Sequence, residues 1–347
     1  VLYPYLTRSR AIRTPHLGPH FQVKESRGTS GRLGVRLGKI WWEQRELARA
    51  CAAERVELLH SPYFASPLRP NLPTVVTIHD VIPMIMPEYR KALHVRIYNA
   101  LVAAAAKRAA AIITVSESSK LDIVRALGIP ADRIHVIYNA ADRGLVPSAD
   151  ERELEAIREA HGISGDFLLY FGGFDARKNV VRILRAYHAA RPRFEKPYQL
   201  VLAGSLSLVG HHLYPDPRPV IRELGLEREV VVTGKISEED KPLLYSAATA
   251  FLFPSLYEGF GMPVLEAMAC GTPVITSSTS SLPEVAGGAA LLVDPTSVEA
   301  IAMAMVQMAN DPDLRRELSR KGRYRASQFS WDTSALKTLE VYRKVLP

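Results

Sequence analysis

The chain has 347 residues, of which 47% are hydrophobic and 23% are charged, and its formal net charge is +8 at pH 7. This length suits two domains, and the apolar content can supply a core for each. No uncharged apolar run reaches about eighteen residues, which excludes a membrane-spanning helix, and no secretory signal is recognised at the start. Only two cysteines occur, Cys51 and Cys270, which argues against a disulfide framework. Because such cysteine usage favours a reducing compartment, we predict a cytoplasmic protein.

Positive charge is concentrated in the first part of the chain. Residues 1–147 hold 21 Lys and Arg against 11 Asp and Glu, whereas the remainder is close to neutral. A one-sided basic region indicates an anionic partner, either acidic lipid or a phosphorylated acceptor. The lipid alternative predicts peripheral contact with the inner face of the membrane. Nucleic acid is disfavoured because no zinc-finger spacing or RNA-recognition motif is present, and a solvated basic face stays open.

The first part of the chain alternates between helix-like and strand-like segments. Its predicted helices are residues 34–54, residues 88–110 and a segment after Ser116, whose hydroxyl can cap that helix. The predicted strands are residues 1–3, 57–60, 74–78, 111–115 and 135–138.

The same alternation restarts after a polar stretch, residues 141–150, which is typical of a linker. The predicted strands of this second part are residues 167–171, 199–203, 230–233, 250–253, 273–276 and 290–293. The predicted helices are residues 151–160, 178–190, 238–248, 263–270 and 297–309, followed by a helical tail at 311–345. Alternating strands and helices indicate an α/β fold with parallel sheets covered on both faces, and two such sheets with a cleft between them fit the length.

The most informative segment lies between two acids, Glu258 and Glu266, which are separated by seven residues. A predicted strand leads into this segment and a predicted helix leads out of it, so its glycines occupy a strand-to-helix turn. The free N–H groups at a helix start form an anion site, and Pro263 suits the first helical turn. This arrangement predicts a bound phosphate with a hydroxyl-rich group on either side, as in a nucleotide sugar. Alternatively, the acids only complement the helix dipole.

Other predicted strands of the chain also end in polar or glycine residues. The strand at 167–171 precedes Gly172 and Gly173, and then Arg177 and Lys178, which together can bind a diphosphate. A solvated surface pair is the alternative. The strand at 74–78 precedes His79 and Asp80, which are either ligand-facing residues or a structural pair, with Asp80 in a position to orient the ring. Two more strand ends carry Gly204-Ser205 and Gly234-Lys235.

The block from Glu258 to Glu266 resembles the Glu-x7-Glu signature of retaining glycosyltransferases of family 4, which have the GT-B fold. Residues 267–275 and 282–285 also resemble that family, and the resemblance extends from about Glu57 to the C-terminus. It implies two Rossmann-like domains that face each other across a cleft, with no match to the family's first βα unit. The implied domains are an acceptor-binding domain at 1–147, a nucleotide-sugar domain at 148–325 and a C-terminal helix at 326–347 that packs back towards the first domain.

The resemblance also implies roles for individual residues. Glu258 would hold hydroxyls of the transferred sugar, His79 would face that sugar, and Lys178 with Arg177 would neutralise the leaving diphosphate. Glu266 would accept hydrogen bonds from the ribose. Sugar and phosphate would be held by backbone N–H groups in the segment Phe260, Gly261, Met262, Pro263, Val264 and Leu265. The nucleotide would lie near the strand ends at Gly172, Gly173, Gly204, Ser205, Gly234 and Lys235. No cofactor and no metal is expected, since the cations and a helix dipole can neutralise the diphosphate.

The resemblance therefore predicts a retaining, metal-independent hexosyltransferase. GDP-mannose is the favoured donor, with UDP-glucose and dTDP-rhamnose open. The predicted acceptor is a saccharide, either free or linked to a polyprenyl diphosphate. Two alternatives remain, a sugar-nucleotide epimerase or hydrolase with the same fold and a non-catalytic nucleotide-sugar-binding subunit. A dehydrogenase is disfavoured because no Gly-x-Gly-x-x-Gly opens either half.

Overall fold

The computed structural model describes residues 38–206, 210 and 212–346, together with the backbone of residues 5–6 and 26–27. Two short strands in that last part, β1 (Tyr5–Leu6) and β2 (Ser26–Arg27), pair in parallel. The strand predicted at 1–3 and the expected lack of a first βα unit lie outside the described residues. The helix predicted at 34–54 is present in its described part, where a π-helical turn (Trp42–Glu46) continues into α1 (Leu47–Ala53).

A four-stranded parallel sheet forms the centre of the first domain, with the order β3-β4-β5-β6. Its strands are β3 (Leu59–Ser61), β4 (Thr74–Thr77), β5 (Ala111–Thr114) and β6 (Ile134–Val136). The principal helices around it are α2 (Ile82–Ile85), α3 (Leu93–Arg108) and α4 (Glu117–Leu127). Every residue of β4 and β5 is buried, as expected for strands that are covered on both faces.

A six-stranded parallel sheet forms the centre of the second domain, with the order β12-β11-β10-β7-β8-β9. Its strands are β7 (Phe167–Phe171), β8 (Gln199–Ala203), β9 (Val230–Gly234), β10 (Ala250–Phe253), β11 (Val274–Ser277) and β12 (Leu291–Val293). The strand order reverses between β7 and β10. In open α/β sheets, ligands bind at the carboxyl ends of the strands on either side of such a reversal.

Helices cover both faces of this second sheet. They are α5 (Glu151–Ala160), α6 (Val180–Ala190), α7 (Arg218–Glu223), α8 (Lys241–Ala247), α9 (Met262–Ala269), α10 (Leu282–Ala286), α11 (Val298–Asn310) and α12 (Pro312–Ser327). The sequence predicted the bounds of the six strands of this sheet to within one residue. The short helices α7 and α10 were not predicted. The largest hydrophobic core of the described residues surrounds this sheet.

The helical tail divides into two helices, because α12 ends before Gln328 and α13 (Trp331–Val345) begins after the cap residue Ser330. The second of these helices packs on the first sheet, where Val341 is buried against Val75 and neighbouring apolar residues. The chain thus returns from the second domain to the first. No helix among the described residues has the length and apolarity needed to cross a membrane.

Candidate active site

The carboxyl ends of β7 and β10 bring an acid and two cations together. After β7 the chain forms a short 3-10 turn (Ala176–Lys178), which Asp175 caps by accepting a hydrogen bond from the Arg177 peptide N–H at 3.0 Å. After β10 the chain reaches Glu258. The carboxylate of Glu258 lies 2.6 Å from Arg177 NH1 and 3.5 Å from Lys178 Nζ. The structure therefore places three sequence-predicted residues in one cluster at the reversal of strand order.

This cluster is largely buried. Glu258 is 8% exposed, and its Oε1 atom accepts no well-aligned hydrogen bond from any described residue. Lys178 Nζ lies 4.7 Å from the centre of the Phe253 ring. Burial lowers the pKa of Lys178, and the nearby Glu258 carboxylate opposes this shift. A buried carboxylate with spare acceptor capacity beside two cations is suited to exchange partners with an anionic, hydroxyl-bearing ligand.

Glycines allow three strand ends to approach one another beside this cluster. A Cβ atom at Gly204 would lie 1.9 Å from the carbonyl oxygen of Gly172, and one at Gly172 would lie 3.6 Å from Lys178 Nζ. The Gly204 N–H donates to the Gly234 carbonyl at 2.9 Å. Gly173 accepts a hydrogen bond from the buried Tyr170 hydroxyl at 2.5 Å. Backbone groups of the predicted glycines thus line one continuous edge of the sheet.

The turn after Glu258 leads into the start of α9. Gly261 has φ +112°, a conformation that favours glycine, and its carbonyl accepts hydrogen bonds from the N–H groups of Val264 and Leu265. Ser281 fixes the turn from the other side, since its hydroxyl lies 2.9 Å from the Glu258 carbonyl and 2.7 Å from the Phe260 carbonyl. In the same segment Met262 and Pro263 are half-buried, whereas Phe260, Val264 and Leu265 are buried.

The second acid, Glu266, lies on α9 and contacts α8 instead. Its Oε1 atom is 2.8 Å from Lys241 Nζ, and its Oε2 atom accepts a hydrogen bond from the Tyr245 hydroxyl at 3.1 Å. Burial raises the pKa of Tyr245, so this hydroxyl remains a donor. The structure does not bring Glu266 into contact with Glu258. Two other predicted residues, Ser205 and Lys235, are exposed at their strand ends.

His79 approaches the same turn from the first domain. A Cβ atom at Gly259 would lie 2.6 Å from the His79 carbonyl oxygen, so the two domains touch where the chain has no side chain. The His79 ring is exposed, and its Nε2 atom lies 3.2 Å from the Pro62 carbonyl. The Asp80 carboxylate accepts from the Ile82 peptide N–H at 3.0 Å, whereas the His79 ring lies against the Pro62 carbonyl. Burial raises the pKa of Asp80.

The predicted cap at Ser116 is confirmed and has a second role. The Ser116 hydroxyl accepts from the Ser119 N–H at 2.9 Å and donates to the Gly259 carbonyl at 2.7 Å. Glu284 of the second domain also reaches the start of α4, where its carboxylate accepts hydrogen bonds from the N–H groups of Glu117 at 2.8 Å and Ser118 at 3.2 Å. The first turn of α4 is therefore completed by groups from the other domain.

Two tyrosines add contacts between the domains that sequence reasoning did not assign. Tyr89 of the first domain donates to Asp175, and Tyr257 of the second domain donates to Asp122 at 2.6 Å. Burial, with the acceptor carboxylate, raises the pKa of both hydroxyls. Lys241 and its neighbour Tyr245 were also missed. No local motif marks these residues, since each contact joins segments that are distant in sequence.

A metal ion would need a cluster of ligating side chains in the described part of the chain. No group of three or more His, Cys, Asp and Glu side chains there could hold a metal ion. The expectation of a metal-independent site stays a prediction.

Comparison with known proteins identifies related chains. A family model described as "Glycosyl transferases group 1" matches residues 153–325, and one described as "Glycosyltransferase Family 4" matches residues 9–144. The O-antigen chain mannosyltransferase B of Escherichia coli is 33% identical over 286 residues, which cover 82% of this chain and 74% of that protein.

Solved structures share the fold. Sucrose-phosphate synthase from Thermosynechococcus elongatus matches with a TM-score of 0.76 and 25% identity, over 95% of this chain and 84% of that one. HepE from Anabaena, solved in complex with UDP and glucose, matches with a TM-score of 0.73 and 21% identity, over 93% of this chain and 85% of that one. These neighbours confirm the predicted fold class.

Proposed function

This chain belongs to glycosyltransferase family 4, and we propose that it is a retaining mannosyltransferase that uses GDP-mannose and a saccharide or lipid-linked saccharide acceptor. The observation that carries the proposal is the cluster of Glu258, Arg177 and Lys178 at the reversal of strand order. Such a cluster offers charge for a leaving diphosphate and an acceptor for sugar hydroxyls side by side. The similarity to a mannosyltransferase supports mannose as the transferred sugar.

Donor binding would exchange the partners within this cluster. Glu258 neutralises Arg177 and Lys178 in the structure, with distances of 2.6 Å and 3.5 Å. A diphosphate bound to both cations would take over that neutralisation. The released Glu258 carboxylate would then accept hydrogen bonds from hydroxyls of the sugar. His79 would approach the sugar from the first domain.

The transfer would proceed on one face of the sugar. The bond between the anomeric carbon and the diphosphate oxygen breaks, and a bond from the acceptor oxygen to that carbon forms. The acceptor proton passes to the departing phosphate oxygen. Arg177, Lys178 and the start of α9 stabilise the charge that develops on the diphosphate. Glu266, held by Lys241 and Tyr245, would accept from the ribose.

The nucleotide assignment can be tested by thermal shift with GDP-mannose, UDP-glucose and dTDP-rhamnose. A ligand at 100 times its Kd stabilises the folded protein by about 2.7 kcal/mol, which moves the melting temperature measurably. We expect the largest shift with GDP-mannose and a loss of that shift in Lys178→Ala. A larger shift with another donor would contradict the nucleotide assignment.

The reaction class requires product analysis. NMR of the product should show the anomeric configuration of the donor, and an inverted anomer would contradict retention. Activity should persist in the presence of a chelator, since no step above uses a metal. Nucleotide release without transfer to any acceptor would instead favour a hydrolase.

A further inference from the structure

A cavity lies in the first domain, outside the cluster around Glu258. It is a cavity of about 530 Å³ between α2, α3 and α4. Its wall includes three arginines, Arg90, Arg96 and Arg125, and one acid, Asp122. The apolar part of the wall includes Met84 and Leu127. This combination of clustered guanidinium groups and apolar surface has no part in the donor site proposed above.

The positive charge of this cavity is poorly neutralised by the described residues. Among the described residues, the Arg90 guanidinium donates to the Met84 carbonyl, at 3.1 Å, and no carboxylate pairs with Arg96. Arg125 lies 3.9 Å from Asp122, the limit of an ion pair, and Asp122 already accepts from Tyr257. Guanidinium groups bind phosphate oxygens through paired, charge-assisted hydrogen bonds. A phosphate group would therefore supply the acceptors that this set of donors lacks.

The rim of the cavity is apolar on one side. Leu93 lies three residues before Arg96, and Ile97 lies three residues before the wall residue Ala100, so all four share one side of α3. Leu93 is 68% exposed and Ile97 is 62% exposed. Two large exposed aliphatic side chains beside a cavity lined by three arginines match a ligand in which a hydrocarbon chain follows a phosphate.

The cavity also adjoins the candidate active site. Asp122 forms part of its wall and hydrogen-bonds the Tyr257 hydroxyl at 2.6 Å. The carbonyl of the same tyrosine accepts from Arg177 at 3.0 Å. Tyr257 therefore bridges the wall of the arginine-lined cavity and a cation of the proposed donor site. A ligand anchored in the cavity would lie on the side of the first domain that contacts the donor site.

From these observations we propose that the cavity binds the phosphate of an amphiphilic phosphoester acceptor, an inference that rests on the proposed function. Arg90, Arg96 and Arg125 would hold the phosphate, and Leu93 with Ile97 would contact the adjoining hydrocarbon chain. The same phosphate chemistry could come from a membrane phospholipid headgroup. The experiment below separates these two sources.

Binding of farnesyl phosphate by calorimetry tests the assignment. The variant Arg90→Gln/Arg96→Gln should weaken binding tenfold or more. The control Lys107→Gln/Arg108→Gln removes the same charge from the far end of α3 and should stay within twofold of the unmodified protein. Lys178→Ala should leave farnesyl phosphate binding unchanged, because that lysine belongs to the donor site. Farnesol and inorganic phosphate should each bind at least tenfold more weakly than farnesyl phosphate.

Three results would overturn the cavity assignment. If farnesyl phosphate binding weakens equally in the cavity variant and in the control, the ligand is attracted by diffuse surface charge. If binding is unchanged in the cavity variant, Arg90 and Arg96 do not hold the phosphate. Cavity-dependent binding to phosphatidylglycerol vesicles without binding of farnesyl phosphate would identify a headgroup instead. GDP-mannose binding, measured in parallel, separates this test from the proposed function. If the unmodified protein does not bind GDP-mannose, the proposed donor fails, whereas normal donor binding confines a failure to the cavity.

Discussion

Glu258 lies before the turn that leads into α9, and Glu266 lies on that helix. The two acids are buried to nearly the same extent, 8% and 9% exposed, but their surroundings differ. Both oxygens of Glu266 are occupied, one by Lys241 and one by Tyr245. Glu258 faces two cations, and its Oε1 atom accepts no hydrogen bond from the described residues. Satisfied buried polar groups hold a structure in place, whereas unsatisfied ones need a reason to persist. The Glu258 carboxylate thus has spare acceptor capacity, whereas the position of Glu266 is fixed by Lys241 and Tyr245.

Removing a cation at the Glu258 end should have the largest effect. Lys178→Ala eliminates charge that would stabilise the leaving diphosphate, and we expect turnover to fall by about 10²–10³-fold in single-turnover assays. Lys321→Ala, which removes a half-buried lysine of α12 that pairs with Glu317 outside the candidate site, serves as the control. Near-normal turnover in Lys178→Ala would contradict the proposal that the surroundings of Glu258, unlike those of Glu266, take part in the reaction.

Changes at the Glu266 end should act mainly on donor binding. Glu266→Ala removes the acceptor that we propose for the ribose, and Lys241→Met removes the ammonium group that holds its carboxylate. Each should raise the donor KM about tenfold, the equivalent of one charge-assisted hydrogen bond, while kcat changes by less than about threefold. Steady-state kinetics with varied donor measures both constants. A fall in kcat with unchanged KM would assign Glu266 to the reaction instead.

A smaller effect is expected where the first domain meets the Glu258 end. Glu284→Gln weakens the hydrogen bonds to the start of α4 by removing the charge that favours them, at a cost of about 0.3–1 kcal/mol. The expected loss in kcat/KM is about two- to fivefold, with GDP binding unchanged. Glu317→Gln, on the exposed face of α12, is the matched control. An equal loss in both variants would show that the contact between the domains is irrelevant to turnover.

The smallest effect on activity should come from His60, which is remote from both acids. Its Nδ1 atom lies 2.5 Å from the Tyr342 hydroxyl of α13, and burial lowers its pKa from 6.5 to about 4. Because the folded pKa lies below the unfolded value, the contribution of neutral His60 is complete above pH 6.5. It decreases as the pH falls towards 4, by at most about 1.4 kcal/mol per pH unit.

The melting temperatures of the unmodified protein and His60→Gln test this pH dependence. Gln does not titrate, so the difference between the two proteins should narrow as the pH falls from 6.5 to 4.5. A constant difference across that range would contradict the assignment. Activity at neutral pH should be nearly equal in the two proteins.

The sequence predicted the second sheet closely because its strands are short, continuous apolar runs. Phe167–Phe171 and Ala250–Phe253, for example, have the predicted bounds and are almost entirely buried. It also placed Arg177, Lys178 and Glu258 after strands whose ends could converge. Short helices such as α7 (Arg218–Glu223) were missed because one or two turns give too few residues for a periodic pattern.

Contacts between distant segments could not be predicted in the same way. Lys241 meets Glu266 only because α8 packs near α9, and no spacing within either helix indicates that partner. The cap that Glu284 adds to α4 depends on how the two domains are placed. Asp80 was expected to orient His79, but the hydrogen bond that its carboxylate forms is with the neighbouring Ile82 N–H. Pairs of this kind follow from three-dimensional packing and not from local pattern.

The absence of a side chain at Gly259 determines how closely the two domains can approach each other. A single methyl group at this position would collide with the His79 carbonyl and with Asp80. The two domains would have to move apart to accommodate this methyl group. The close contact between the two domains at this point therefore requires glycine at position 259. Any larger residue at position 259 would keep the two domains apart, even with every charged group of the site in place.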